Sequence, residues 1–364
     1  MSAQHEHAHR PGERPASASE QQLLQQVLDA LQSNTPLAIQ GANSKAFLGR
    51  PVAGEVLDTR QHSGIVNYDP TELVVTVRSG TPLVELFAAL DEQGQTLTCE
   101  PPTFGGQATV GGMVAAGLSG PRRPWSGAVR DLVLGTRVIT GQGKLLRFGG
   151  EVMKNVAGYD LSRLMAASFG QLGVITEVSM KVLPKPVSSH HLRLELPVDK
   201  ALLKLAEWGQ QPIPITAASY LDGHLHLRLE GGIGSVRSAA DRIGGEELDA
   251  GFWAQLNEQQ LAFFQDPRPL WRLSLPPLTP ALELPGDTLL DWAGAQRWLK
   301  SAAAAEEIQA LASRHGGHAT CYTAGVTENP FQPLAPLLQR YHRQLKKQLD
   351  PQGLFNPGRL YSGL

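Results

Sequence analysis

Seventeen residues in the first third of the chain, Pro101-Pro102-Thr103-Phe104-Gly105-Gly106-Gln107-Ala108-Thr109-Val110-Gly111-Gly112-Met113-Val114-Ala115-Ala116-Gly117, constrain the fold more than any other stretch. Five are glycine and most others are small, so backbone N–H groups can approach a ligand closely, and successive N–H groups in such turns form a cradle for an anion. A pyrophosphate fits that cradle. A second one is offered by Gly41–Gly49, with hydroxyl and ammonium donors from Ser44 and Lys45. Neither segment is the G-x-G-x-x-G fingerprint or a phosphate loop ending in Gly-Lys-Ser/Thr, so nicotinamide and nucleoside-triphosphate chemistry lack their usual signatures. On spacing alone, tight turns and close packing explain the same glycines equally well.

Composition narrows the class. At 364 residues the chain suits about two domains. With 32 Lys and Arg against 34 Asp and Glu, its formal charge of −2 supplies no broad positive field, which argues against nucleic acid as a partner. Cys99 and Cys321 are the two cysteines, so a disulfide framework, a zinc ribbon and an iron–sulfur cluster of the chain's own all lack ligands, and a reducing cytoplasm fits best. No apolar run approaches the ~20 residues that span a bilayer, and Met1–Ser19 has no apolar core of a leader, so the expectation is a soluble protein or one attached peripherally.

Along the chain, residues 1–19 read as a disordered tail, in which His5, His7 and His9 have no fixed geometry for a metal. Leu23, Leu24, Val27, Leu28 and Leu31 follow helical spacing, with Ser19 as cap. Leu37–Ile39 is a buried strand running into the first small-residue loop. Leu73–Val77 is a second strand, followed by a helix over Leu83–Leu90 with Thr81 as cap and Pro82 in its first turn. Val133–Thr140 and Lys144–Phe148 form a hairpin, and Gly173–Val182 is a strand. Residues 20–187 then make one domain. In 188–330, strands such as His191–Leu196 and His224–Leu229 alternate with helical stretches Ala201–Trp208, Phe252–Phe264 and Ala302–Arg314, which is the order of an α+β domain. Residues 331–364, with a helix near Leu337–Leu349 and the turn Asn356-Pro357-Gly358, are expected to dock back on the first domain.

Four ordered segments carry a resemblance: Pro36–Lys45, Ala108–Ala115, Arg123–Asp131 and Gly170–Glu177. Together they resemble the FAD-binding domain of the vanillyl-alcohol oxidase and p-cresol methylhydroxylase (PCMH-type) superfamily. Within it, Gln40–Pro51, Gly64–Thr76, Glu100–Pro102, Gly149–Asp160 and Asp350–Tyr361 resemble the family of E subunits of bacterial glycolate oxidase. The resemblance implies two α+β subdomains clasping an extended FAD, a smaller α+β cap-like domain, and a C-terminal segment returning to the FAD domain. It implies Gly41, Asn43, Ser44 and Lys45 in a first pyrophosphate loop and Thr109, Gly111, Gly112, Ala115 and Gly117 in a second. Val174, Ile175 and Thr176 match a strand on the adenine side; Lys154, Gly158 and Tyr159 match a segment near the flavin; Asn356 matches the terminal Asn-Pro-Gly turn.

Departures from the superfamily pattern shape the rest. Ala42 and Asn43 stand where many relatives have consecutive glycines, although Asn tolerates left-handed backbone. No histidine occurs in the first loop or from Thr103 to Gly127, so the FAD is expected to be noncovalent. Relatives that oxidise 2-hydroxy acids carry histidines and an acid in the cap; here His224 and His226 share one strand face without the acidic element. We read them as a solvated face, with a metal pair as the alternative, and no metal and no catalytic residue is assigned. Arg122, Arg123 and Arg130 with Trp125 suit an interface with another subunit, or alternatively an anion clamp. Trp208, Trp253, Trp271, Trp292 and Trp298 read as core or interface anchors, and the cysteines as buried thiols.

The function this implies is the FAD-binding subunit of a multisubunit glycolate oxidase that converts glycolate to glyoxylate. Electrons would pass through flavin to an iron–sulfur partner and a non-oxygen acceptor, and a larger FAD-containing subunit would hold the glycolate site. The alternatives are a self-sufficient FAD-linked 2-hydroxy-acid oxidase using His224, His226 or Tyr159, and a scaffold subunit that has lost FAD. The complex would lie in the cytoplasm, with peripheral attachment to the inner membrane face.

Overall fold

The computed structural model describes residues 14–150 and 160–364. His5, His7 and His9, and the sequence-assigned Lys154, Gly158 and Tyr159, lie outside the described residues.

Strand alternation builds the first layer. Val75 and Val77 point to one face of the strand Val74–Arg78, and Thr76 to the other. That strand sits in a five-stranded antiparallel sheet in the order Ile65–Asp69, Val74–Arg78, Val174–Lys181, Val133–Ile139, Leu145–Gly149. The apolar face packs on the helices Leu83–Glu92 and Val110–Ala116 through Leu83, Leu86, Leu90, Met113 and Val114. The other face is polar and covered. Glu20, 1% exposed, accepts from the Thr176 hydroxyl at 2.7 Å and pairs with Arg137 at 3.3 Å, and its burial raises its pKa.

Glu20 belongs to the helix Ala18–Ser33, which begins inside the segment expected to be a tail. Its N-cap is Ser17, not Ser19: the Ser17 hydroxyl accepts from Glu20 N, whereas Ser19 Oγ bonds His62 Nδ1 at 2.8 Å. A capping hydroxyl must lie outside the first turn, and Ser19 is already in it. Thr81 likewise fails to cap Leu83–Glu92. Its hydroxyl donates to Arg78 O at 2.8 Å and accepts from Gly64 N at 2.9 Å, and Pro82 occupies the N-cap position.

The second layer is an eight-stranded antiparallel sheet whose members lie between Ser188 and Cys321. Its order is Glu246–Glu247, Ser188–Glu195, His224–Gly231, Ile215–Leu221, Asp287–Asp291, Gln296–Lys300, Leu270–Ser274, His318–Cys321. The helix expected over Phe252–Phe264 is broken: it runs Gly251–Asn257, Gln259 turns left-handed at φ 56°, and a short 3-10 turn follows at Ala262–Gln265. The helix expected over Ala302–Arg314 starts later, at Ala305. The five tryptophans assigned to the core are buried, as are Cys99 and Cys321.

Two sequence expectations are corrected by the packing between the layers. His226 is 6% exposed and stacks on Phe252 of the helix Gly251–Asn257 with centroids 4.3 Å apart, so the strand face it shares with His224 is covered at His226 and stays half-exposed only at His224. Burial holds the His226 imidazole down at about 4. Arg122 and Arg123 serve joints inside the chain. Arg122 pairs with Glu100 and Glu230, Arg228 pairs with the same two carboxylates, and the Arg123 guanidinium lies 4.3 Å from the Trp292 ring. Trp125, at 37%, and Arg130 remain at the surface.

The C-terminal helix Pro336–Leu349 leads back to the first layer. Lys346 donates to Gln171 O at 2.8 Å, Phe355 O at 2.7 Å and Asp350 Oδ2 at 2.6 Å, and Leu37 N donates to Leu354 O at 2.7 Å. Leu354 and Phe355 are thereby buried with Leu23, Val27, Leu37 and Val174.

Candidate cofactor site

The strand Leu37–Gln40 pairs in parallel with Glu55–Asp58 and delivers the chain into the first small-residue loop at the edge of a cavity of about 330 Å³. Ligand pockets begin near that size, at ~300 Å³. Gly41, Asn43, Ser44 and Lys45 line it on one side and Thr109, Gly111, Gly112 and Ala115 on the other. The two sides touch. A Cβ on Gly41 would overlap the Thr109 hydroxyl, and one on Gly111 would come within 2.6 Å of Ser79 Cβ, so only glycine permits this approach.

The first loop is the anion cradle. Asn43 takes a left-handed backbone, φ 57°, which asparagine tolerates better than most residues other than glycine. Among the described residues, the N–H groups of 41–45 find no acceptor in the protein. The second segment differs from the cradle expected of it. Val110 N donates to Thr81 O at 2.9 Å, Gly111 N to Ser79 O at 2.8 Å, and Gly112 N to the capping Thr109 hydroxyl at 3.3 Å. Its contribution is a floor bare of side chains.

Lys45 supplies the charge. Burial lowers its ammonium to about 8, against the opposing pull of Glu258, and its Nζ lies 5.3 Å from the Phe104 ring centroid. Glu258 also holds the turn before the second segment: Oε1 accepts from Thr103 N at 2.7 Å and Thr103 Oγ1 at 2.9 Å, and Oε2 from Gly105 N at 3.3 Å.

Of the remaining sequence-assigned residues, Ile175 and Asn356 line the cavity. Asn356 is central to its end wall: Oδ1 accepts from Ile39 N at 2.7 Å and Nδ2 donates to Phe169 O at 2.6 Å. Gly117, Val174 and Thr176 do not line it. Gly117 ends its helix at φ 65° beside Ala167, Val174 faces the core, and the Thr176 hydroxyl is bonded to Glu20. Adjacent side chains on a strand face opposite ways, so that of Ile175 reaches the cavity while those of Val174 and Thr176 face away; the resemblance assigns this run, Gly173–Thr176, to the adenine side through its backbone groups.

Sequence reasoning passed over Thr59, Ser79, Gly170 and Arg359, all of them lining residues; Gly173, of the run matched to the adenine side, lines the cavity too. Gly170 had a signal, as the first residue of a segment already singled out; a Cβ there would meet Asn356 Nδ2 at 2.6 Å. Arg359 lay in the segment Asp350–Tyr361, also singled out, but its place in the cavity depends on how the C terminus returns. No histidine lines this cavity among the described residues. Bare glycine walls, unpaired N–H groups and a half-buried ammonium fit a phosphate-bearing cofactor.

Residues 16–149 match the FAD binding domain family. The chain is 61% identical over 344 residues to glycolate oxidase subunit GlcE of Escherichia coli (strain K12), an alignment covering 94% of this chain and 98% of that one. The chain belongs to the glycolate oxidase subunit GlcE family. Other relatives match about a third of the chain: glycolate oxidase subunit GlcD of Bacillus subtilis (strain 168) is 35% identical over 133 residues, 36% of this chain and 28% of that protein. An alkyldihydroxyacetonephosphate synthase structure superposes with a TM-score of 0.66 at 16% identity, covering 94% of this chain and 76% of that one. The fold of this GlcE-family chain is therefore the PCMH-type FAD-binding fold, and its cofactor is FAD. Among the described residues no helix is long and apolar enough to cross a membrane, and no three His, Cys, Asp or Glu side chains assemble as a metal site.

Proposed function

We propose that this chain is the FAD-binding subunit of a multisubunit glycolate oxidase and holds its FAD noncovalently in the cavity between the two glycine segments. The near-complete match to the GlcE relative carries this reading, and the cavity supports it. When bound, FAD supplies the redox chemistry, accepting and passing on electrons. The protein's part is positional. The free N–H groups of 41–45 and the Lys45 ammonium would take the pyrophosphate; Gly111 and Gly112 would let it lie against the backbone; Ile175 and Asn356 would flank the far end.

Glycolate oxidation would require partners: a larger flavoprotein subunit with the glycolate site and an iron–sulfur subunit, since this chain's two cysteines are buried and separate. Peripheral attachment at the membrane would come through that assembly. Purified chain should be yellow and release flavin on acid precipitation, and should reduce dye with glycolate only when the other subunits are added. Colourless protein that takes up no FAD overturns the first half of the reading, and rapid glycolate-dependent dye reduction by the chain alone overturns the second.

A further inference from the structure

The helix Pro336–Leu349 is held to the body of the chain by its last turns alone. Lys346 is buried, and Leu345 and Leu349 are half-buried, Leu349 against the core beneath the five-stranded sheet. From Pro336 to Gln344 every residue except Gln339 is exposed, and Leu337, Leu338 and Tyr341 are each at least half exposed. At 3.6 residues per turn these three fall in one stripe with Leu345 and Leu349. The stripe therefore runs out of the core into solvent, and its outer part covers nothing. A helix of this length owes its stability mainly to the packing of its apolar face, so the outer turns gain from a surface that covers them.

Charge says what that surface carries. Arg340, Arg343 and Lys347 are exposed on the side opposite the stripe, three and four positions apart, and none of them forms an ion pair among the described residues. No Asp or Glu occurs from Asn329 to Leu349, while the chain as a whole has a formal charge of −2, so the helix is a positive feature on an otherwise negative molecule. Its complement is an apolar surface bearing carboxylates. Leu338, Tyr341 and Leu345, at i, i+3 and i+7, have the spacing of a helix received in a groove. A flat anionic bilayer fits less well: taking in the leucines would turn the three cations away toward water, whereas the walls of a groove can bring carboxylates around the helix.

We propose that the outer turns of this helix dock in an apolar, carboxylate-rimmed groove on another subunit of the oxidase. Leu337, Leu338 and Tyr341 fill the groove, and Arg340, Arg343 and Lys347 meet its rim and steer the encounter. The choice of an oxidase subunit rests on the multisubunit reading above; the apolar stripe and its cations rest on the helix itself.

Co-expression of the full chain with the larger flavoprotein and iron–sulfur subunits, followed by affinity measurement between the purified components, tests the docking. We expect Leu338→Glu with Tyr341→Glu to weaken assembly by about tenfold or more while FAD content and melting temperature stay at wild-type values, because both side chains are exposed in the free chain. Arg340→Glu with Arg343→Glu should also weaken it and flatten its dependence on KCl, which in wild type lowers the affinity as salt rises. Should the first pair misfold, the second decides alone. A wild-type chain that co-purifies with neither subunit refutes the multisubunit reading and this docking with it, whereas normal assembly by both double variants refutes the docking alone. Sedimentation of wild type with phosphatidylcholine–phosphatidylglycerol vesicles, lost in both double variants while assembly is kept, overturns the groove and gives the helix to a bilayer.

Discussion

Arg359 Nη2 donates to the backbone carbonyl of Lys45 at 3.2 Å, joining residues 314 positions apart. The same guanidinium donates to Ala46 O at 3.3 Å and to Arg50 O at 2.7 Å. The first cofactor loop is thus held in shape from the C terminus. Arg359→Met should weaken FAD binding by about tenfold or more, the worth of charge-assisted hydrogen bonds, with Arg359→Lys recovering part of it. Flavin titration of the apoprotein measures the effect; unchanged affinity in Arg359→Met would show that the loop keeps its shape unaided.

The contact between Gly41 and Thr109 makes a paired test possible. Gly41→Ala should abolish flavin retention, because its Cβ overlaps the Thr109 hydroxyl. Adding Thr109→Gly should restore part of it while lowering stability by only about 0.3 kcal/mol through the lost helix cap, since glycine is itself a fair cap residue. Flavin absorbance and thermal melts of the two variants separate the effects.

Lys45 makes FAD affinity depend on pH. Its folded pKa, about 8, lies below the ordinary lysine value of 10.5, so without cofactor the charged form is disfavoured and stability rises as pH goes from about 8 to 10.5. An anionic cofactor favours the charged form. Affinity should therefore be level below pH 8 and fall by up to about tenfold per unit above it. In Lys45→Gln the affinity should be lower and flat across that range, and a persistent slope in this variant would assign the dependence to another group.

Glu258 ties the eight-stranded sheet's side of the chain to the cofactor loop through Thr103 and Gly105. Glu258→Ala should cost about 1.5–3 kcal/mol of stability and also lower the Lys45 pKa further, because the carboxylate holds it up. Denaturant unfolding measures the first effect. The pH dependence of FAD affinity measures the second, its break moving below 8.

Trp125 is a surface aromatic on a segment whose two neighbouring arginines, Arg122 and Arg123, are engaged inside the chain. If it anchors another oxidase subunit, Trp125→Ala should weaken co-purification by about 2 kcal/mol while FAD content stays at the wild-type level. Loss of FAD with intact co-purification would move Trp125 to the cofactor site.

Much of this architecture was legible in local sequence. Helical spacing located Ala18–Ser33 and Leu83–Glu92, and β-alternation located the hairpin Val133–Ile139 with Leu145–Gly149. Gly41, Gly111 and Gly112 marked the cavity walls because a missing Cβ is a property of the residue itself, whatever packs against it. What local pattern cannot carry is which surface a residue meets. Whether His226 is wet depends on Phe252 crossing its strand, and whether Arg122 faces a partner or Glu230 depends on how the two layers dock. Arg359 enters the cofactor cavity only once Leu354 and Phe355 are buried beside Leu37. Those outcomes depend on long-range contacts between segments that backbone propensity and hydrophobic period leave undetermined, so tertiary packing decided them.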